Sequence, residues 1–207
     1  MPVAMTTAQL PTLAFEDWVS GMNESQLICF HESGHAVAFY VLKFQPRKVT
    51  FNFAEHDRRT TRFLHRPILT PADQLRALDY AVTLIAGSVA EAKYRGVPLA
   101  DLRNTFGKED YQCVYNIIRR VQCCALLTAG ITNGPGAGPL ATLEFLEARA
   151  IALTDRKDVW SAVESVVAAI EDCGGTVYRA DLVEAIESGL TYLVDEDEDE
   201  LGYGRPS

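Results

Sequence analysis

Apolar positions recur at helical spacing through residues 24–44, where Leu27, Ile28, Ala38 and Leu42 share one side with His31 and His35. The pattern predicts a buried amphipathic helix over about Glu24–Phe44, capped by Asn23 or Ser25 and stopped before Pro46, which disfavours helix in the residue ahead of it. The period then shortens to two. Val49, Phe51 and Phe53 alternate with polar residues across Arg47–Phe53, as in a half-buried strand. Arg59–His65 is expected to pair with it through a turn at Glu55-His56-Asp57-Arg58. After Thr70 the helical period returns. Pro71-Ala72-Asp73 opens a long helix expected to reach Tyr94 and to close at Gly96. A second starts near Lys108–Asp110 and runs to about Thr128, and three shorter ones follow at roughly Leu140–Leu153, Lys157–Asp172 and Arg179–Ser188. Gly130–Pro139 reads as a loop, and without the Gly-Lys-Ser/Thr of a phosphate loop it is not expected to bind nucleotide. The sum is a mainly α chain of α+β class, with a small hairpin or sheet beside the helix of residues 24–44.

Composition narrows the class. With 207 residues, 48% hydrophobic and 23% charged, the chain can bury a sizeable core. We expect a loosely structured lead-in at 1–22, a folded domain over 23–190 and an acidic, disordered tail at 191–207. Net charge is −9, and Asp195–Glu200 is an unbroken acidic run that repels itself. An acidic chain with no basic cluster points away from nucleic acid. No apolar run approaches the ~20 residues of a membrane helix, and the start has neither the basic nor the apolar part of a signal peptide. A cytoplasmic location without membrane contact is the expectation. Five cysteines with no C-x-x-C pair read as reduced thiols.

The chemistry sits in His31-Glu32-Ser33-Gly34-His35. Residues four apart lie one above the other on a helix, so His31 and His35 can offer two imidazole nitrogens to one metal ion. Zinc takes nitrogen, sulfur and carboxylate ligands in a tetrahedron and lowers the pKa of a coordinated water toward ~7. Glu32, one residue round the helix, is placed to take the proton of that water as general base, which is the mechanical content of H-E-x-x-H. Gly34 removes a side chain between the ligands and allows another segment to come close. Cys29 lies two residues before His31 and should point elsewhere. A third protein ligand is still required. Ala38 and Val41 exclude the extended H-E-x-x-H-x-x-G-x-x-H form. Glu55, His56 and His65 fall on the expected hairpin or its turn, where polar residues are usually solvated; the carboxylates Glu91 and Asp110 remain, and spacing does not choose between them.

His31–Ala36 (HESGHA), Ala86–Gly96 (AGSVAEAKYRG) and Gly107–Val121 (GKEDYQCVYNIIRRV), in this order, resemble the three successive signatures of the M41 peptidase domain of FtsH-type ATP-dependent zinc proteases. Lys48–Phe51 (KVTF) is similar to the strand that follows the metal helix there, and a weaker similarity continues to about residue 188. The resemblance implies a zincin-like helical bundle and a Zn2+ ion held by His31, His35 and Asp110. It also implies Glu32 as the catalytic base and Glu91 as an outer carboxylate and the second choice of ligand. Hydrolysis of peptide bonds in peptides or unfolded proteins is the implied activity, with homo-oligomer assembly and a separate ATPase partner as implied associations. The sequence departs from that family in showing no Walker motif, in the connection from Gly96 to Gly107, and in Glu109 where asparagine is usual. A non-catalytic zinc-binding adaptor acting with an ATPase is the alternative expectation, and the intact Glu32 counts against it.

Overall fold

The computed structural model describes residues 24–51, 53–57, 61, 70–104, 107–131 and 142–200, with backbone alone over 125–131 and 192–200. In chain order the elements are α1 (Glu24–Val41), β1 (Pro46–Thr50), β2 (Ala54–His56), α2 (Pro71–Arg95), α3 (Leu99–Leu102), α4 (Lys108–Ile131), α5 (Leu143–Thr154), α6 (Lys157–Asp172), β3 (Thr176–Tyr178) and α7 (Arg179–Glu200). The molecule is mainly helical, with one small antiparallel sheet. Among the described residues, no helix is long and apolar enough to cross a membrane.

Local chemistry sets the ends of these elements. The Thr70 side chain accepts from the Asp73 N–H at the start of α2, Pro71 occupies the first turn, and Gly96 closes the helix at φ 65°. Thr142 caps α5 in the same way, through the Phe145 N–H. α1 stops at Val41, three residues earlier than expected, because the chain turns there with Lys43 at φ 64° and Gln45 at φ 53°. Left-handed backbone is unfavourable for residues with a Cβ. Arg76 holds the turn by donating to the Leu42 and Lys43 carbonyls at 2.5 and 2.7 Å while its guanidinium lies over the Phe44 ring.

Three sequence expectations need correction. The hairpin partner of β1 is β2 at Ala54–His56, so Glu55 and His56 lie in a strand rather than in the expected turn. The expected strand at Arg59–His65 lies, apart from Thr61, outside the described residues, as does the loop at 132–139. The helix carrying the two histidines is also not amphipathic in its centre, since every residue from Cys29 to Phe39 is buried. It is enclosed by α2, α6, α7, β1 and β2, and so needs no solvent face. α7, expected to end at Ser188, continues to Glu200 and takes the acidic run of 195–200 into helical backbone. Residues 1–23 and 201–207 lie outside the description.

β1 is the central strand, with β2 and β3 antiparallel on either side and a register shift between Pro46 and Lys48. Apolar packing falls into two clusters. One joins α2, α4 and α5 through residues such as Ile85, Val114 and Leu146. The other joins α1, α6, α7, β1 and β3 through Val37, Val49, Val166 and Ile186. α1 and α2 cross where these clusters meet, and Gly34 makes that crossing close. A Cβ there would sit 2.6 Å from the Ala86 carbonyl oxygen and 2.7 Å from the Ala90 Cβ. The segment that Gly34 admits is therefore the backbone of α2.

Candidate metal centre

One turn of α1 presents His31 and His35 toward α2, and each ring is oriented by a group that can only accept. His35 Nδ1 donates to the Thr83 carbonyl at 2.8 Å. His31 Nδ1 donates to Glu91 Oε2 at 3.1 Å, and Glu91 Oε1 in turn accepts from Arg95 at 2.6 Å. These partners place the proton of each neutral ring on Nδ1, which leaves both Nε2 atoms as bare lone pairs. The His35 ring lies close against α2 because residue 87 is glycine. A Cβ at that position would fall 2.4 Å from His35 Nε2.

α4 supplies the third atom. Asp110 Oδ2 lies 3.3 Å from His31 Nε2 and 3.3 Å from His35 Nε2, and the two Nε2 atoms are 3.1 Å apart. Three electron-pair donors thus converge on one point, a repulsive arrangement unless a cation sits among them. A tetrahedral zinc with bonds of about 2.0–2.1 Å spaces its ligands about 3.3–3.4 Å apart. His31, His35 and Asp110 form a group that could hold a metal ion, and their spacing fits zinc. The first turn of α4 is held from below. Tyr111 and Arg103 both bond the buried Glu147 of α5, at 2.9 Å for the phenol and at 2.8 and 2.6 Å for the guanidinium. A Cβ at Gly107 would reach 2.3 Å from Ser88 Oγ, so the start of α4 lies directly on α2.

With protons as the only cations present, the electrostatics show how strongly this pocket attracts positive charge. Burial by itself lowers an imidazolium, but the hydrogen bonds to Asp110 and Glu91 outweigh it and push His31 up to about 9. His35 is raised against burial by the charge and hydrogen bond of Asp110. Asp110, which burial would raise, is held well below the usual carboxylate range by His35 and His31. Metal binding would displace these protons.

The buried Glu32 stands beside the triad in a cleft of about 340 Å³ that is also walled by Phe39, Tyr80 and Leu84. Burial raises its carboxyl above the ordinary glutamate range. The His35 and His31 rings and a hydrogen bond from the Ala54 N–H of β2 pull the other way. A carboxylate with raised proton affinity is suited to accept a proton near neutral pH.

The other sequence candidates fall elsewhere. Glu91 is buried on the far side of the His31 ring, at Nδ1. His56 lines the same cleft but stands outside the triad, with Nε2 3.1 Å from Thr61 Oγ1. Glu55 is partly exposed and pairs with Arg47 at 3.8 Å. His65 lies outside the described residues. Cys29 is buried in the cluster shared with α6 and α7, away from the triad. Sequence reasoning missed the Thr83 carbonyl and the Ala54 N–H, which are backbone groups without a side-chain signature. It also missed Tyr80 and Gly87; a glycine inside an apolar helical stretch is the one visible signal of a close approach there. Comparison with known proteins adds nothing to this geometry: no protein-family model, no curated protein and no solved structure matches the chain.

Proposed function

We propose that the chain is a zinc-dependent metallopeptidase, zincin-like in its metal helix and M41-like in its ligand order, acting on peptides or unfolded proteins. The observation that carries this reading is the convergence of His31 Nε2, His35 Nε2 and Asp110 Oδ2 beside the buried carboxylate of Glu32 in an accessible cleft. Two imidazoles and a carboxylate also suit Fe(II), but a carboxylate base at the next helical position and tetrahedral spacing favour hydrolytic zinc chemistry.

Bound there, zinc would polarise the scissile carbonyl and acidify a water molecule. Glu32 takes the proton of the attacking water as the new C–O bond forms, and delivers it to the amide nitrogen as the C–N bond breaks. The products are a carboxylate and an amine. Burial of Glu32 raises its affinity for the proton it carries between these two steps, and the Ala54 N–H orients it. His31 and His35 keep their rings fixed through Glu91 and Thr83, so the ligand atoms need no reorganisation during turnover. Among the described residues β2 is an edge strand; it borders the cleft and suits the alignment of an extended chain by strand addition. Extended substrates are peptides or unfolded chains, and a folded substrate would require a partner ATPase to deliver it.

The test is cleavage of a fluorescently labelled unfolded protein by the zinc-loaded chain without ATP, beside Glu32→Gln. Loss of a general base typically costs about 10²–10⁴-fold in rate, so turnover should fall at least 10²-fold in the variant while zinc stays stoichiometric. Persistent cleavage by Glu32→Gln, or iron in place of zinc in the purified protein, would overturn the reading.

A further inference from the structure

We propose that Tyr80 is a further catalytic residue of this cleft, its phenolic O–H donating to the carbonyl oxygen of the scissile bond as that oxygen gains negative charge; this inference rests on the peptidase reading above. When the water oxygen bonds to the carbonyl carbon, the π pair of C=O moves onto oxygen, and a donor aimed at that oxygen lowers the barrier. The side chains already placed at the triad cannot supply one. Glu32 and Asp110 act as anions there. The N–H groups of His31 and His35 are turned away, toward Glu91 and Thr83.

Tyr80 has the required position and chemistry. It lies on α2 one turn before Thr83, the residue whose carbonyl fixes His35, and it walls the same cleft as the triad. Its ring is held between Phe39, Phe44 and His56, with centroids 6.2, 5.4 and 5.3 Å away. Among the described residues, its hydroxyl has no hydrogen-bond partner. Burial, with the charges of Cys113 and Asp110 behind it, pushes the phenol up to about 12, so it remains an O–H donor at neutral pH. Tyr80 and Asp110 line the same cleft, together with both histidines and Glu32. The other imidazole in the wall, His56, has Nε2 engaged with Thr61 Oγ1 at 3.1 Å.

The experiment compares the zinc-loaded chain with its Tyr80→Phe and Glu32→Gln variants. It measures turnover of the labelled unfolded protein and the binding of two metal-directed peptides. One carries a phosphinate in place of the scissile carbonyl, a tetrahedral oxyanion mimic; the other binds metal through a thiol and has no such oxygen. Loss of one oxyanion donor costs about 10²–10³-fold in kcat, so Tyr80→Phe should lose about 10²-fold with KM nearly unchanged. It should bind the phosphinate peptide about 10-fold or more weakly, keep its affinity for the thiol peptide and keep stoichiometric zinc. Unchanged kcat, equal weakening of both peptides, or loss of zinc would overturn the proposal. If turnover vanishes in Glu32→Gln but survives in Tyr80→Phe, this inference alone fails. If the wild type shows no turnover, or Glu32→Gln retains it, the peptidase reading fails and takes this inference with it.

Discussion

His31 stands between two carboxylates, Asp110 at Nε2 and Glu91 at Nδ1, and the two faces of its ring divide their roles. The division can be measured. Outer partners of metal-bound histidines typically contribute about 10–100-fold to metal affinity, so Glu91→Gln should weaken zinc by that amount and still bind one equivalent. Asp110→Ala removes an electron pair from the metal itself and should lose more, read by competition with a chromogenic chelator. Equal losses would show that the two carboxylates are not divided as inner and outer partners. The pair His31 and His35 was legible in the sequence because four residues make one helical turn, a relation internal to α1. The third donor was not legible from spacing, and only the resemblance pointed to Asp110. It lies 79 residues beyond His31, and the docking of α4 is what brings it, rather than Glu91 or His56, to the two Nε2 atoms. The Thr83 carbonyl and the Ala54 N–H are invisible to any reading of side-chain types.

Among the elements, the crossing of α1 and α2 governs the ligand turn. Gly34→Ala improves intrinsic helix propensity by about 1 kcal/mol, yet its Cβ would meet the Ala86 carbonyl oxygen at 2.6 Å, where backbone cannot yield cheaply. Overpacking of a tight interior typically costs about 1–3 kcal/mol, so the variant should show a lower urea midpoint at unchanged m-value. A midpoint equal to wild type would mean that the helices can separate at no cost. The helices themselves were readable from period and punctuation: Pro71 and Gly96 bound α2 in the chain as they do in the fold. The sheet was readable only in its central strand. β2 and β3 are three residues each, too short to impress a period, and β2 falls where polar residues suggested a turn. α1 was read as amphipathic because its apolar residues keep helical spacing, whereas its enclosure by five elements is a property of the assembled core.

For the molecule as a whole, the candidate metal site lies where the two apolar clusters adjoin, and α4 reaches it while packing chiefly on α2. A ligand that binds only the native state stabilises it by about 2.7 kcal/mol at 100 times its Kd. Each kcal/mol moves the melting point of a chain this size by roughly 2–4 °C, so zinc should raise Tm by about 5–10 °C over chelator-treated protein. Glu32→Gln should show the same rise, because Glu32 is not a ligand; the absence of any rise in the wild type would remove the native metal site. The wide spacing of the donors also orders events during synthesis. Glu32 and both imidazoles leave the ribosome before Asp110, which follows 75 residues after His35. At about 5–20 residues per second that is a delay of about 4–15 s. Throughout that interval the nascent chain carries the base without the complete metal site. On the proposed peptidase reading, a prematurely terminated product that ends before Asp110 would be as inert as one lacking Glu32, and the long separation would keep unfinished chains from cleaving their neighbours.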